Sequence, residues 1–160
     1  MSQHSLLAFL TGHIHGDWRD RVRQMAENKD LTITFKGPCE DHELSDDIGT
    51  QIRGVSQSDV GVDYFPRLKD DLGGRVNNLR TGIWIAKSDL LIAFFDEDHK
   101  NYRQWNTSSD IAEANRHGIP VIVVHKPGLR HPLKELDGRA NVVVDSLEQA
   151  VEVLAYVCGD

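Results

Sequence analysis

Three continuous apolar runs, at residues 6–10, 90–95 and 121–124, constrain the fold of this sequence more than any other feature. Each run has the length of a strand and contains no polar residue, which is typical of a parallel strand buried on both faces. The segment after the first run carries Trp18, Val22 and Met25 at the spacing of a helix face. Strands that alternate with helices in this way predict an α/β fold with a parallel sheet between helical layers.

Two further strands complete the expected sheet. Residues 31–35 alternate between apolar and polar side chains, and residues 141–144 include a short apolar run, so we expect both segments at the edges. The three apolar strands then lie in the centre, which gives the flavodoxin-like order 2-1-3-4-5. An apolar stripe through residues 147–157 predicts a closing helix.

We expect a single domain, because 160 residues suit one core of this size. Residues 39–74 are the least regular part of the chain, and they read as an insertion-like segment that acts as a lid or a partner contact. Helical periodicity returns at residue 75. Four residues there predict a stripe that faces the core: Val76, Leu79, Ile83 and Ala86.

Composition and motifs argue against several classes of function. The net charge of −7 disfavours a general binder of nucleic acid or anionic membrane, although a local basic pocket remains open. No run is long enough to span a membrane, the start lacks the features of a signal peptide, and the two cysteines are far apart. A cytoplasmic protein is therefore expected. The chain has no G-x-G-x-x-G motif and no P-loop, and His13-x-His15 has no third ligand at a motif spacing, so we expect no cofactor and no metal.

The predicted strand order indicates where a ligand would bind. In the order 2-1-3-4-5 the switch point lies between strands one and three, and ligands bind there at the carboxyl ends of the strands. The loops that follow these strands are residues 13–17 and 96–106. The stretch 104–110, which leads into the next helix, is therefore expected to face His13 and His15.

Asp110 has two interpretations from its local sequence. A carboxylate at a helix start is held by backbone amides and by the helix dipole, and it can attack an electrophilic carbon such as the anomeric carbon of a sugar. Thr107-x-x-Asp110 also resembles a capping box, an ordinary device for starting a helix. Spacing alone favours the cap.

The other candidate residues have similar alternatives. Trp105 is either a stacking wall or a plug over the sheet end, and Asn106 is either a cap or a hydrogen-bonding group for a base or ribose. His13 and His15 suit general acid or base catalysis, and both are also common turn residues.

Candidates further from this stretch are also open to two interpretations. Pro38, His42 and Asp46 follow the second strand, where a simple turn and a solvated loop explain them equally. Asn77 and Arg80 could hold a phosphate or a carboxylate, or pair with a neighbouring acid.

Several of these segments together resemble the YtoQ family of small bacterial proteins over nearly the whole chain. They are Gly12-His13-Ile14-His15 with Trp18-Arg19, Gly37-Pro38 with His42, Ser45-Asp46 and Ile48-Gly49, Asn77-Asn78-Leu79-Arg80-Thr81, Gln104-Trp105-Asn106-Thr107 with Asp110, and His131-Pro132-Leu133-Lys134-Glu135-Leu136. That family is in turn similar to nucleoside 2-deoxyribosyltransferases and nucleotide N-glycosidases, in which a glutamate after a threonine attacks C1′ of the sugar. Thr107 matches that threonine, and Asp110 stands in the place of the glutamate.

The resemblance implies a hydrolase or transferase that acts at the N-glycosidic bond of a nucleoside or nucleotide-like substrate. Asp110 would be the nucleophile or base, and His13 or His15 the proton donor. The implied substrate-binding residues are Gly12, Trp18, Pro38, His42, Asp46, Asn77, Arg80, Gln104, Trp105 and Asn106. It also implies a homodimer or larger homo-oligomer, with residues 39–74 as the candidate contact. The alternatives are a non-catalytic nucleotide-binding or regulatory module and a protein-interaction scaffold.

Overall fold

The computed structural model describes residues 5–97 and 104–159. Its sheet has five parallel strands in the order β2-β1-β3-β4-β5, so the expected flavodoxin-like order is confirmed. The strands are β1 (Leu6–Gly12), β2 (Ile33–Lys36), β3 (Leu90–Phe94), β4 (Val121–Val124) and β5 (Val142–Val144). The ends of β1 and β3 lie side by side, with Thr11 opposite Ala93 and Gly12 opposite Phe94. This pair of strands forms the switch point.

Seven α-helices and one 3-10 turn are found within the described ranges. The helices are α1 (Trp18–Asn28), α2 (His42–Arg53), α3 (Gln57–Val60), α4 (Phe65–Ala86), α5 (Trp105–Arg116), α6 (Lys134–Asp137) and α7 (Leu147–Cys158), and the 3-10 turn is Pro127–Leu129. None of the helices seen in the described ranges is both long and apolar enough to cross a membrane.

The chain divides into two compact units, residues 1–36 with 84–160, and residues 37–83. In the first unit, alternate strand residues face opposite helical layers, as the period of two requires. Ala8, Leu10 and Ile92 pack against α1 and α7. Phe9 and Leu91 pack against α5, the end of α4 and the 3-10 turn. The three central strands are buried on both faces, which explains their continuous apolar sequence.

The second unit is more helical than the sequence indicated. Residues 39–74 contain α2, α3 and the first half of α4, rather than an irregular segment. The helices α2 and α4 pack closely, because a Cβ on Gly49 would lie 2.7 Å from the backbone nitrogen of Gly73. Asn77 donates a hydrogen bond to the Ser45 carbonyl at 3.1 Å, and Lys69 pairs with Asp47 at 2.8 Å. The single-domain expectation stays a prediction.

The prediction that Val76, Leu79, Ile83 and Ala86 form one buried stripe of α4 is wrong at the end of the helix. The side chains of Leu79 and Ile83 are 64% and 45% exposed, and Ala86 is also exposed. The buried residue of the last turn is Ile85, which joins the core beneath the sheet. Apolar residues continue at helical spacing to the end of α4. Tertiary packing there buries Ile85 and leaves Leu79 and Ile83 exposed.

Candidate functional site

Asp110 lies in the second turn of α5 rather than at its start. The helix begins at Trp105 with Gln104 as its N-cap, so Thr107 is already the third helical residue. The capping-box interpretation of Thr107 and Asp110 is therefore wrong. Instead of capping the helix, the Asp110 carboxylate points to the end of β1 and contacts a strand residue.

That strand residue is Thr11, the next-to-last residue of β1. Its hydroxyl donates a hydrogen bond of 2.5 Å to Oδ2 of Asp110, across 99 positions in the sequence. Thr11 is only 3% exposed and follows Phe9 on the sheet face that packs against α5. Among residues 5–97 and 104–159, no group donates a hydrogen bond to the other carboxylate oxygen, Oδ1. One carboxylate oxygen is thus held by the sheet, and the other accepts no hydrogen bond from the described residues.

The environment of Asp110 raises the pKa of its carboxyl from 3.8 to about 6. Burial is the largest cause, because it disfavours the charged form. The Thr11 hydrogen bond and the charge of Arg19 oppose this effect, and Glu113 adds to it. With a pKa of about 6 the group is about nine-tenths ionised at pH 7. Asp110 is therefore a poorly solvated carboxylate that remains mainly charged near neutral pH.

Arg19 places a buried positive charge at the end of β1. Its side chain is 3% exposed, and its guanidinium donates to three carbonyls at the end of β1 and just after it: Leu10 at 3.5 Å, Gly12 at 3.4 Å and His13 at 3.0 Å. The guanidinium carbon also lies 4.4 Å from the ring centroid of Trp18. These bonds fix the chain as it leaves the strand, and the charge lowers the pKa of Asp110 toward its ordinary value.

The turn after β1 is closely packed against β3. A Cβ on Gly12 would lie 2.5 Å from the Phe94 carbonyl oxygen and 2.9 Å from the Trp18 ring. Trp18 in turn donates from Nε1 to the His13 carbonyl at 2.6 Å and packs on Phe94 with ring centroids 5.1 Å apart. Only glycine fits at position 12 without moving one of these groups. Gly12 and Trp18 therefore shape the switch point.

His13 and His15 lie together in this turn, with ring centroids 5.3 Å apart. Nδ1 of His13 is 3.1 Å from both the backbone nitrogen and the carbonyl oxygen of His15. If Nδ1 accepts from the His15 amide, the proton of the neutral ring resides on Nε2. With a proton on Nδ1, the same geometry instead lets the ring donate to the His15 carbonyl.

Gln104 ties the loop after β3 to the start of α5. Its amide oxygen accepts from the Asp96 backbone nitrogen at 2.9 Å, and its amide nitrogen donates to the Phe94 carbonyl at 2.8 Å and to the Thr107 hydroxyl at 3.3 Å. Both the oxygen and the nitrogen of the Gln104 side-chain amide therefore have partners within the protein. Gln104 therefore joins the end of β3 to the first turn of α5, and the substrate-binding role that the resemblance implied for it stays a prediction.

Trp105 and Asn106 form the first residues of α5, and both are exposed. The Trp105 side chain is 72% exposed, so it does not plug the end of the sheet. Its role as a stacking surface and the role of Asn106 as a hydrogen-bonding group stay predictions.

Five candidate residues lie in the second unit: Pro38, His42, Asp46, Asn77 and Arg80. Asn77 is engaged with the Ser45 carbonyl, which joins α4 to α2. His42 and Asp46 lie on α2, Pro38 precedes it, and the exposed Arg80 lies on α4. Their contribution to a site with Asp110 stays a prediction.

A cleft of about 170 Å³ lies at the carboxyl ends of β3, β4 and β5. Phe94 and Asp96 line it on one side and Ser146 and Leu147 at the start of α7 on the other.

No group of three or more His, Cys, Asp or Glu side chains in the described part of the chain is arranged to hold a metal ion. The titratable and hydrogen-bonding side chains at the switch point itself are the Asp110 carboxylate, the Thr11 hydroxyl, the Arg19 guanidinium and the imidazoles of His13 and His15.

Comparison with known proteins identifies the family. The family model described as nucleoside 2-deoxyribosyltransferase YtoQ matches residues 9–158. The chain belongs to this family. It is 40% identical over 151 residues to the uncharacterized protein YtoQ of Bacillus subtilis (strain 168), covering 94% of this chain and 95% of that protein.

The fold of this family member also has a counterpart among solved structures. A conserved protein from Enterococcus faecalis V583 superimposes with a TM-score of 0.53 and 14% identity, covering 96% of this chain and 99% of that one. At this level of identity the similarity concerns the fold alone.

Two residues of the site were not among the candidate site residues of the sequence analysis, although Arg19 belongs to one of the segments that carry the family resemblance. Thr11 directly follows the first apolar run, and the alternation along that strand could have placed it opposite α5. Arg19 stands beside Trp18 at the start of an amphipathic helix, where an arginine usually faces solvent. No local signal shows that its side chain turns back to the end of β1.

Proposed function

We propose that this protein cleaves or transfers the N-glycosidic bond of a nucleoside or nucleotide-like substrate, with Asp110 as the nucleophile or base. The observation that carries this proposal is the Asp110 carboxylate itself. It is poorly solvated, held at Oδ2 by Thr11, and raised in pKa to about 6 at the switch point between β1 and β3. Membership of a family described as nucleoside 2-deoxyribosyltransferases supports the same reaction class.

In the nucleophilic form of the mechanism, Oδ1 of Asp110 forms a bond with C1′ of the sugar. The C1′–N bond breaks, and its electron pair leaves with the base, which takes a proton from His13 or His15. A water molecule or a second base then attacks C1′ and gives its proton to the same histidine, while the C1′–Oδ1 bond breaks and releases the carboxylate. In the alternative form, Asp110 deprotonates the attacking water directly.

The state of Asp110 determines the pH range of either form. Only the ionised carboxylate can attack carbon or accept a proton, so a pKa of about 6 predicts an acidic limb in the activity near that pH. The partial burial that raises the pKa also removes water from the carboxylate, which increases its reactivity toward a carbon that develops positive charge. The hydrogen bond from Thr11 limits the shift and fixes the orientation of the attacking oxygen.

The experiment is a panel of deoxynucleosides, ribonucleosides and 5′-monophosphates, with free base measured by chromatography. We expect base release from at least one compound and a loss of about a thousandfold or more in Asp110→Ala. Asp63→Ala removes an exposed carboxylate of the second unit and serves as the matched control, with activity close to wild type. Equal release by wild type and Asp110→Ala across the whole panel contradicts the proposal.

A thermal-shift screen with the same panel separates the enzyme from the non-catalytic alternative. Both functions predict that a ligand raises the melting temperature, because binding stabilises the native state. Only the enzyme also predicts turnover. Stabilisation by a nucleotide without base release would therefore reject catalysis and leave the binding module.

A further inference from the structure

A second cleft lies within residues 37–83, between the end of α2 and the first half of α4. Its volume is about 270 Å³. Three arginines, one acid, one tyrosine and two leucines line it: Arg53, Arg67, Arg75, Asp71, Tyr64, Leu68 and Leu72. None of these seven residues has a role in the proposed function.

The close contact between α2 and α4 builds this cleft. The backbones meet at Gly49, where an added Cβ would lie 2.7 Å from the Gly73 nitrogen and 3.1 Å from the Lys69 carbonyl oxygen. Arg53 follows Gly49 by one helical turn and so lies on the same face of α2. On α4, Arg67, Asp71 and Arg75 are spaced by four residues and also share one face. The helix crossing therefore gathers the three guanidiniums at one place.

These arginines have no charge partner in the part of the chain that the structure describes. In residues 5–97 and 104–159, none of Arg53, Arg67 and Arg75 takes part in a hydrogen bond or an ion pair. Asp71 is the single carboxylate in the lining, so three positive charges face one negative charge. The whole chain carries −7, which makes this cleft a local reversal of sign.

Helix stability explains the arrangement only in part. Asp71 lies four residues from both Arg67 and Arg75, a spacing at which opposite charges attract. Arg53 is the last residue of α2, where a cation interacts favourably with the helix dipole. Arg67, however, is the third residue of α4, where the dipole disfavours a positive charge. Arg75 lies in the middle of the helix and adds a like charge on the same face. A bound anion would relieve this repulsion and supply the missing partner.

We propose that this cleft binds the phosphate or pyrophosphate group of a small phosphorylated ligand. Guanidinium groups match phosphate oxygens in paired hydrogen bonds, and three of them suit a group with several charged oxygens. Leu68, Leu72 and the half-exposed Tyr64 add an apolar wall for a flat part of the ligand. The volume lies just below the usual range of small-molecule pockets, so the ligand is smaller than a dinucleotide.

The test is isothermal titration of the full-length protein with pyrophosphate and with adenosine 5′-monophosphate at constant ionic strength. We expect saturable binding of both, weakened at least tenfold by the double change Arg67→Gln with Arg75→Gln. The matched control, Arg130→Gln with Arg139→Gln, removes the same charge from exposed positions in the first unit and should change affinity less than twofold. Tyr64→Ala should weaken the nucleotide more than pyrophosphate.

Two results would overturn the proposal. The first is no saturable binding of pyrophosphate by the wild-type protein at millimolar concentration. The second is equal weakening by both double variants, which would reduce the effect to net charge. Circular dichroism of each variant checks that the fold is retained. The proposed anion site does not depend on the proposed enzymatic function. The variant Asp110→Ala tests this independence, because it should abolish base release and leave pyrophosphate binding unchanged.

Discussion

The Thr11 hydroxyl donates a 2.5 Å hydrogen bond to the Asp110 carboxylate and so joins the end of β1 to the second turn of α5. The bond links two elements that are not adjacent in sequence, and it lies where the carboxyl ends of β1 and β3 meet. Burial of the same carboxylate raises its pKa to about 6. The two effects act in opposite directions, so Asp110 is held in place and yet remains costly to ionise.

Asp110→Asn should stabilise the protein above pH 6 while abolishing base release. Between 3.8 and about 6 the native state binds more protons at this group than the unfolded state does, so its contribution to stability falls as the pH rises. The neutral amide lacks this penalty, and its oxygen still accepts from Thr11. We expect a gain of roughly 2–3 kcal/mol at most in the free energy of unfolding at pH 7.5 and little gain at pH 4. Urea denaturation at both pH values measures it, and a gain independent of pH would contradict the linkage.

Thr11→Val should raise the pKa of Asp110 further above 6. The hydroxyl stabilises the ionised carboxylate, and valine has nearly the same shape without the donor. The acidic limb of the pH–activity profile should therefore move to higher pH, while Thr11→Ser should remain close to wild type. Carbon-13 titration of the Asp110 carboxyl provides a measurement that does not need activity. An unchanged titration in the valine variant would show that the hydrogen bond is not formed in solution.

Gln104→Ala should weaken the attachment of the start of α5 to the end of β3. The substitution removes the partners of the Asp96 amide and the Phe94 carbonyl, both of which are partly shielded from water. Loss of such partners costs about 1–3 kcal/mol. Hydrogen exchange at the Asp96 amide should accelerate by about tenfold or more, since a bonded amide becomes exposed. Gln104→Glu is the informative control because its carboxylate can still accept from Asp96 but cannot donate to Phe94.

Gly12→Ala should destabilise the switch point. The new methyl group would meet the Phe94 carbonyl oxygen at 2.5 Å, and backbone atoms there can yield only if β1 and β3 separate. Overpacking of this kind costs about 1–3 kcal/mol. Gly128→Ala is the matched control, because nothing lies within 4 Å of its Cβ. Chemical denaturation should place the control within about 0.5 kcal/mol of wild type.

Gly49→Ala and Gly74→Ala should change stability in opposite directions. A Cβ at position 49 collides with the Gly73 backbone, whereas a Cβ at position 74 meets nothing within 4 Å. The first change forces α2 and α4 apart, and the second raises helix propensity by about 0.5–1 kcal/mol. Melting temperatures of both variants check the prediction. Stabilisation by both would show that the helices do not meet at these glycines.

The sequence alone determined the order of the sheet. A strand with a continuous apolar sequence avoids exposing apolar side chains to water only if both of its faces are buried. The strands β1, β3 and β4 therefore had to be central. Parallel crossovers then fixed the switch point and brought residues 13–17 and 104–110 to one edge. Family membership could also be recognised from the printed residues, because short motifs along nearly the whole chain carry it.

Only the tertiary structure decided the start of α5, the partner of Asp110 and its pKa. Local spacing favoured a cap by Thr107, but Gln104 bonds to Phe94 and Asp96 and starts the helix three residues earlier. The bond to Thr11 depends on strand register and helix position over 99 residues, which no local pattern encodes. Desolvation of the carboxylate and the turn of Arg19 toward β1 follow from packing in three dimensions. The same holds for α4, where packing buried Ile85 and left Leu79 exposed.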